Sequence, residues 1–221
     1  MKPIVKICGL STTQTINHAI NAGADWIGLV HFAKSSRHVD IDKARILAGH
    51  ARGRAKIVSL IVDVDDATLD AIMREIKPDM LQCHGSESAE RIEEIKSRTS
   101  RPVIKAIGVS EKADLDAIAP YIRVADHILL DAKPPKDAIL PGGNGEPFDW
   151  GILKGLSDQT PFILSGGLSP DTVKEAIASV QPFGVDVSSG VESIAGVKDN
   201  DKIENFILAA NSIAGNDNKN E

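Results

Sequence analysis

The chain repeats one rhythm from end to end: a short apolar, β-branched run, a break, then a longer stretch with helical period and polar punctuation. The strand-like runs fall at 3–8, 26–31, 56–62, 80–83, 103–107, 127–130, 162–164 and 183–187. Helical stretches fall between most of them, at 12–21, 41–51, 67–76, 86–98, 111–118 and 170–180, and one at 200–213 closes the series. Strands joined by crossovers of this length pair most simply in parallel, because a parallel pair needs a connection of a dozen or more residues. Eight such units in 221 residues predict an α/β chain folded as a single-domain (β/α)8 TIM barrel over 1–214. A doubly wound open sheet is the alternative, but it usually has fewer strands, and no Gly-x-Gly-x-x-Gly follows the first strand.

Local signals agree with the rhythm. Asp40 is placed to cap the second helix and Asp65 or Asp66 the third, Ser86 opens the fourth, and Pro78 favours a stop after the third. Residues 133–147 break the pattern, being too rich in Gly and Pro for a helix. A loop of that length is expected to be functional, with an interdomain linker as the other reading. Residues 215–221 are polar and Asn-rich and read as a frayed tail.

Aromatic residues make up only 4% of the chain, so Val, Ile, Leu and Ala must fill the core. A formal net charge of −6 argues against a nucleic-acid partner. The two cysteines, Cys8 and Cys83, lack CxxC spacing, which argues against a disulfide framework or structural zinc. Lys6 interrupts the first apolar run well short of a signal-peptide core, and no stretch approaches a membrane span. The expectation is a cytoplasmic protein with no membrane partner.

Chemistry concentrates at the strand ends. In barrels the loops after the seventh and eighth strands recurrently bind phosphate, because glycines let backbone N–H groups approach the anion. Here those loops are Ser165-Gly166-Gly167-Leu168 and Ser188-Ser189-Gly190-Val191, so Gly166, Gly167, Ser188, Ser189 and Gly190 are the candidate phosphate ligands. Asp131 stands at the tip of the sixth strand, as a catalytic carboxylate, a helix cap or a salt-bridge partner of Lys133. Cys8 stands at the tip of the first, as a nucleophile, a base or a small apolar side chain. Lys6 shares strand parity with Cys8 and points into the barrel with it. It and Lys105 are either Schiff-base lysines or lysines paired with buried carboxylates. Arg37, after the second strand, can grip a carboxylate or phosphate, or lie solvated. Gln82 and His84 share parity at the end of the fourth strand, where they can line the mouth.

Together these segments resemble the phosphoribosylanthranilate isomerases. The resemblance runs nearly end to end, through 6–10, 22–25, 34–39, 82–85, 129–131, 142–150, 165–168 and 184–192. It is most specific in Lys6-Ile7-Cys8-Gly9, Asp131 and Gly184-Val185-Asp186-Val187-Ser188-Ser189-Gly190-Val191-Glu192. It implies isomerase activity in tryptophan biosynthesis, an Amadori rearrangement of N-(5-phosphoribosyl)anthranilate to 1-(2-carboxyphenylamino)-1-deoxyribulose 5-phosphate. By that likeness Asp131 is the general acid and Cys8 the general base. Arg37 holds the anthranilate carboxylate, Asp186 lies near the ribose hydroxyls, and the glycine loops hold the phosphate. No metal, nucleotide or redox cofactor is implied, the partner is a small phosphorylated substrate, and family members are monomers or homodimers. A thiolate base needs a pKa brought toward neutrality by nearby cations or helix dipoles, and Lys6 is one candidate source of that field. Ala33 and Ser36 replace prolines common in the family and Asn144 a threonine, while His31 and Cys83 stand where apolar residues are more usual. The competing readings are a sugar-phosphate aldolase or epimerase led by Lys6 or Lys105, and a non-catalytic phosphate binder.

Overall fold

Eight parallel strands close on themselves in sequence order, each hydrogen-bonded to the next and β8 to β1. A computed structural model describes residues 2–133, 142, 148–158 and 160–212. The strands are β1 Ile4–Cys8, β2 Trp26–His31, β3 Lys56–Ile61, β4 Met80–Cys83, β5 Val103–Val109, β6 His127–Ala132, β7 Phe162–Leu164 and β8 Gly184–Val187. The helices are α1 Thr13–Ala22, α2 Ile41–Ala51, α3 Asp66–Glu75, α4 Ala89–Thr99, α5 Val173–Val180 and α6 Asn200–Asn211. The barrel is therefore the expected architecture. The expectation for the 215–221 tail, and most of that for the 133–147 loop, falls outside the described residues.

Side-chain caps set several helix starts. Thr12, Asp40, Asp65, Ser88 and Asp199 each accept a hydrogen bond from a backbone N–H of the first turn, typically worth about 1 kcal/mol. The cap of α4 is Ser88, not Ser86; Ser86 instead donates its N–H to Asp63. The crossover between β5 and β6 is not α-helical. Residues Lys112–Tyr121 form 3-10 turns, with Ile118 the one buried residue and Pro120 inside the segment. One anchored side chain and a proline lacking a donor give an α-helix too little to hold it against the barrel. The strand after it reaches Ala132, so Asp131 sits within β6, paired in register with Gly108.

Strand alternation sorts the core. One face of the strands packs against the helices in the large cluster that includes Ile7, Ile27, Ile57, Leu81 and Phe206. The other face fills the barrel, where Trp26, Val58, Met80, Ile104, Ala106, Leu129 and Ile163 form its apolar floor. Above that floor the inward positions turn polar, with Lys6, Gln82, Asp131 and Asp186 all buried. After β8 the chain makes a 3-10 turn at Ser189–Val191 and then a small antiparallel hairpin, β9 Glu192–Ile194 with β10 Val197–Lys198. No part of the rhythm foreshadows that hairpin.

Candidate active site

The carboxyl ends of the strands surround a cavity. Cys8, Arg37, Gln82, His84, Asp131 and Asp186 line it, and so do Gly166, Gly167, Ser188, Ser189 and Gly190. An apolar wall of Val30, Phe32, Leu60 and Val62 completes it.

Cys8 is inward-facing at the end of β1 and 3% exposed. Its neighbour across the β1–β2 pair is Gly28, where a Cβ would lie 2.8 Å from the Cys8 sulfur, so only glycine leaves the thiol its place. Lys6, one inward step below, donates from Nζ to Asp186 Oδ1 at 2.9 Å and is fully buried. Burial lowers the Lys6 pKa, but Asp186 and Cys8 outweigh it, and the ammonium is held above its ordinary value. Cys8 behaves differently from expectation. Burial raises its pKa, Asp186 adds to the rise, and Lys6 and Lys198 only partly oppose it, so the resting thiol sits above its usual value. Lys6 does lower it, and burial outweighs that lowering.

Asp131 Oδ1 accepts the N–H of Ala132 at 2.9 Å, and Oδ2 faces His84 Nε2 at 3.4 Å. The Nδ1 of that histidine lies 3.1 Å from Gln82 Nε2, as the shared parity of the two residues requires. If that amide nitrogen donates to Nδ1, the histidine carries its proton on Nε2, toward Asp131. Gln82 Oε1 is buried with no hydrogen-bond partner among the described residues.

Arg37 is not a solvated loop charge; it is 6% exposed and clamped by Glu192. Its Nε donates to Oε1 at 2.7 Å and its Nη2 to Oε2 at 2.9 Å. The arginine lies across Gly9, whose φ of +76° and lack of a Cβ admit the side chain. Burial disfavours the guanidinium charge, but Glu192 more than compensates, and the Arg37 pKa rises. Burial likewise raises the Glu192 carboxyl, yet Arg37 and Lys198 bring it down to about 2.

The two glycine loops meet the cavity as expected. Gly166 and Gly167 are both left-handed, at φ +81° and +69°, and Trp150 Nε1 donates to the Gly166 carbonyl at 3.3 Å. Ser188 Oγ donates to the Cys8 carbonyl at 3.2 Å, joining the second loop to β1.

Other candidates lie elsewhere. Lys105 points away from the barrel interior and pairs with Glu87 Oε2 at 2.8 Å, its Nζ also donating to the Gly85 carbonyl at 2.7 Å. His31 and Cys83 face the layer between sheet and helices, and His31 Nε2 lies 3.2 Å from Ser59 Oγ. Neither lines the cavity. Sequence reasoning gave no role to Glu192 or Lys198 and did not find the Phe32 wall. Glu192 closes the quoted strand-eight motif, a signal that was available; Lys198 had none.

Comparison with known proteins agrees with this geometry. The family model described as N-(5'phosphoribosyl)anthranilate (PRA) isomerase matches residues 5–209. The N-(5'-phosphoribosyl)anthranilate isomerase of Afipia carboxidovorans is 54% identical over 210 residues, covering 95% of this chain and 90% of that one. The crystal structure of phosphoribosyl anthranilate isomerase from Thermotoga maritima superposes with a TM-score of 0.85 at 35% identity, covering 94% of this chain and 98% of that one. A crystal structure of the isomerase in complex with reduced 1-(o-carboxyphenylamino)-1-deoxyribulose 5-phosphate gives 0.82 at 33% identity, with the same coverage. The chain belongs to the N-(5'-phosphoribosyl)anthranilate isomerase family, the enzymes that isomerise phosphoribosylanthranilate in tryptophan biosynthesis.

Proposed function

We propose that in this isomerase Asp131 is the general acid and Cys8 the general base, within one catalytic unit spanning 1–214. Asp131 gives its proton to the furanose ring oxygen as the bond from that oxygen to the anomeric carbon breaks, leaving a Schiff base to the anthranilate nitrogen. The Cys8 thiolate then takes the proton from the sugar's second carbon, and the enolamine tautomerises to the ketone. Two groups with separated protonation states are what such a sequence needs.

The observation that carries this reading is that a thiol and a carboxylate from different strands line one cavity together with two glycine loops. The remaining assignments follow the shape of that cavity. The apolar wall of Val30, Phe32, Leu60 and Val62 suits an aromatic ring, with its carboxylate directed to Arg37. Gly166, Gly167, Ser188, Ser189 and Gly190 take the phosphate. Asp186 and Gln82, whose Oε1 is an unused acceptor, take the sugar hydroxyls, with His84 beside Asp131. The protein works as a monomer or homodimer in the cytoplasm, and no described helix is long and apolar enough to cross a membrane.

Purified protein should accelerate the loss of phosphoribosylanthranilate fluorescence, and Cys8→Ser should be severely impaired, since an alcohol ionises far less readily than a thiol. Near-normal turnover by Cys8→Ser would remove Cys8 from the base role. Borohydride trapping of a lysine adduct would favour the aldolase-type reading instead.

A further inference from the structure

The hairpin that follows β8 places two buried charges behind the site. The Glu192 carboxylate has all of its acceptor positions occupied. Oε1 takes Arg37 Nε at 2.7 Å and Lys198 Nζ at 2.8 Å, and Oε2 takes Arg37 Nη2 at 2.9 Å and the Gly196 N–H at 3.1 Å. Lys198, its side chain 1% exposed, also donates to the Ser188 carbonyl at 2.8 Å and lies 3.2 Å from Ser188 Oγ. A Cβ at Gly196, in the hairpin turn, would lie 2.7 Å from the Ser36 carbonyl oxygen, so the hairpin packs closely on the loop that carries Arg37. A continuous buried chain of charge-assisted bonds thus runs from Arg37 through Glu192 and Lys198 to Ser188.

We propose that Glu192 and Lys198 are positioning residues that couple the carboxylate-binding end of the site to its phosphate-binding end. The proposal rests on the roles given above to Arg37 and the strand-eight loop. A bidentate carboxylate fixes a guanidinium in one plane, which a single contact cannot do. The same carboxylate anchors the lysine that holds the Ser188 peptide, so both grips are set by one group that touches neither ligand.

The test uses free anthranilate and inorganic phosphate as competitive inhibitors, one for each end. Glu192→Gln keeps the volume but presents an N–H₂ to the arginine in place of an acceptor. It should weaken both inhibitors by about tenfold and raise KM for substrate more than it lowers kcat. Arg37→Met should weaken anthranilate alone. Lys198→Met, which leaves the Arg37–Glu192 clamp in place, should weaken phosphate, and it serves as the test if Glu192→Gln does not fold. Unchanged inhibition by phosphate in Glu192→Gln and Lys198→Met overturns the coupling. Unchanged inhibition by anthranilate in Arg37→Met overturns the carboxylate role of Arg37, while the phosphate arm still judges the link from Glu192 to Ser188.

Discussion

Lys6 on β1 and Asp186 on β8 are register partners on adjacent strands, and their side chains close a 2.9 Å ion pair inside the barrel, directly beneath Cys8. The pair explains how a lysine is tolerated in an apolar strand, since a buried charge persists when it is paired and hydrogen-bonded. It also bears on the thiol, whose pKa burial raises most, with Lys6 opposing the rise and Asp186 adding to it.

Asp186→Asn should therefore lower the Cys8 pKa. The substitution removes a carboxylate that raises it and leaves the Lys6 ammonium facing the sulfur. The rate of Cys8 alkylation by iodoacetamide, followed against pH, should shift to lower pH in the variant. Cys83 will be silent in this assay, because burial pushes its thiol far up. An unchanged or upward-shifted profile would show that Asp186 does not control the thiol.

Parity along the strands made much of the site legible in advance. Lys6 with Cys8, and Gln82 with His84, sit two residues apart and point the same way because a strand's side chains alternate. The glycine loops were legible because their positions after the seventh and eighth strands carry meaning in a barrel. What the residues did not declare were partners distant in the chain. The counter-ion of Lys6 lies 180 residues away, and that of Arg37 155 away. From its polar loop Arg37 could equally have been solvated, and its packing over Gly9 and its clamp from Glu192 became visible only in the fold. The net rise of the Cys8 pKa was equally illegible, since burial, its largest cause, is set by the packed barrel and not by the lysine two residues before it.

His31 should make stability fall in mild acid. Burial holds its imidazole neutral, lowering its pKa from 6.5 to about 4. The unfolded chain takes up that proton more readily, so the contribution is full above 6.5 and is lost as pH falls through about 4. The full difference is about 3 kcal/mol. Urea midpoints for His31→Leu should vary less between pH 7.5 and pH 4.5 than those of the wild type; parallel curves would rule this out.

Lys105→Met should cost stability and leave the chemistry in place. It strands Glu87, which is 5% exposed, without its cation, a loss of about 3–5 kcal/mol. Thermal melting measures the loss, and activity per folded molecule should stay within a few-fold of wild type. A borohydride-trapped adduct at Lys105 would contradict its placement outside the cavity.

Gly28→Ala should disable the site by displacing Cys8 on the neighbouring strand. The added methyl meets both the sulfur and, at 3.0 Å, the Cα of Cys8, so the base itself must move. Displacements near 1 Å cost about 10²-fold in rate, and a loss of about 10–100-fold in kcat/KM is expected. Wild-type kinetics would mean that the thiol's position is not critical.

The acid–base assignment is tested most directly by Asp131→Asn, assayed for both turnover and ligand binding. Asparagine keeps the shape of the side chain and an acceptor for the Ala132 N–H, but it has no proton to give the ring oxygen. The kcat should fall by about 10²–10⁴ while affinity for the reduced product analogue stays within about threefold of wild type. A variant that turns over at close to the wild-type rate, or that loses activity only in step with analogue affinity, would contradict it.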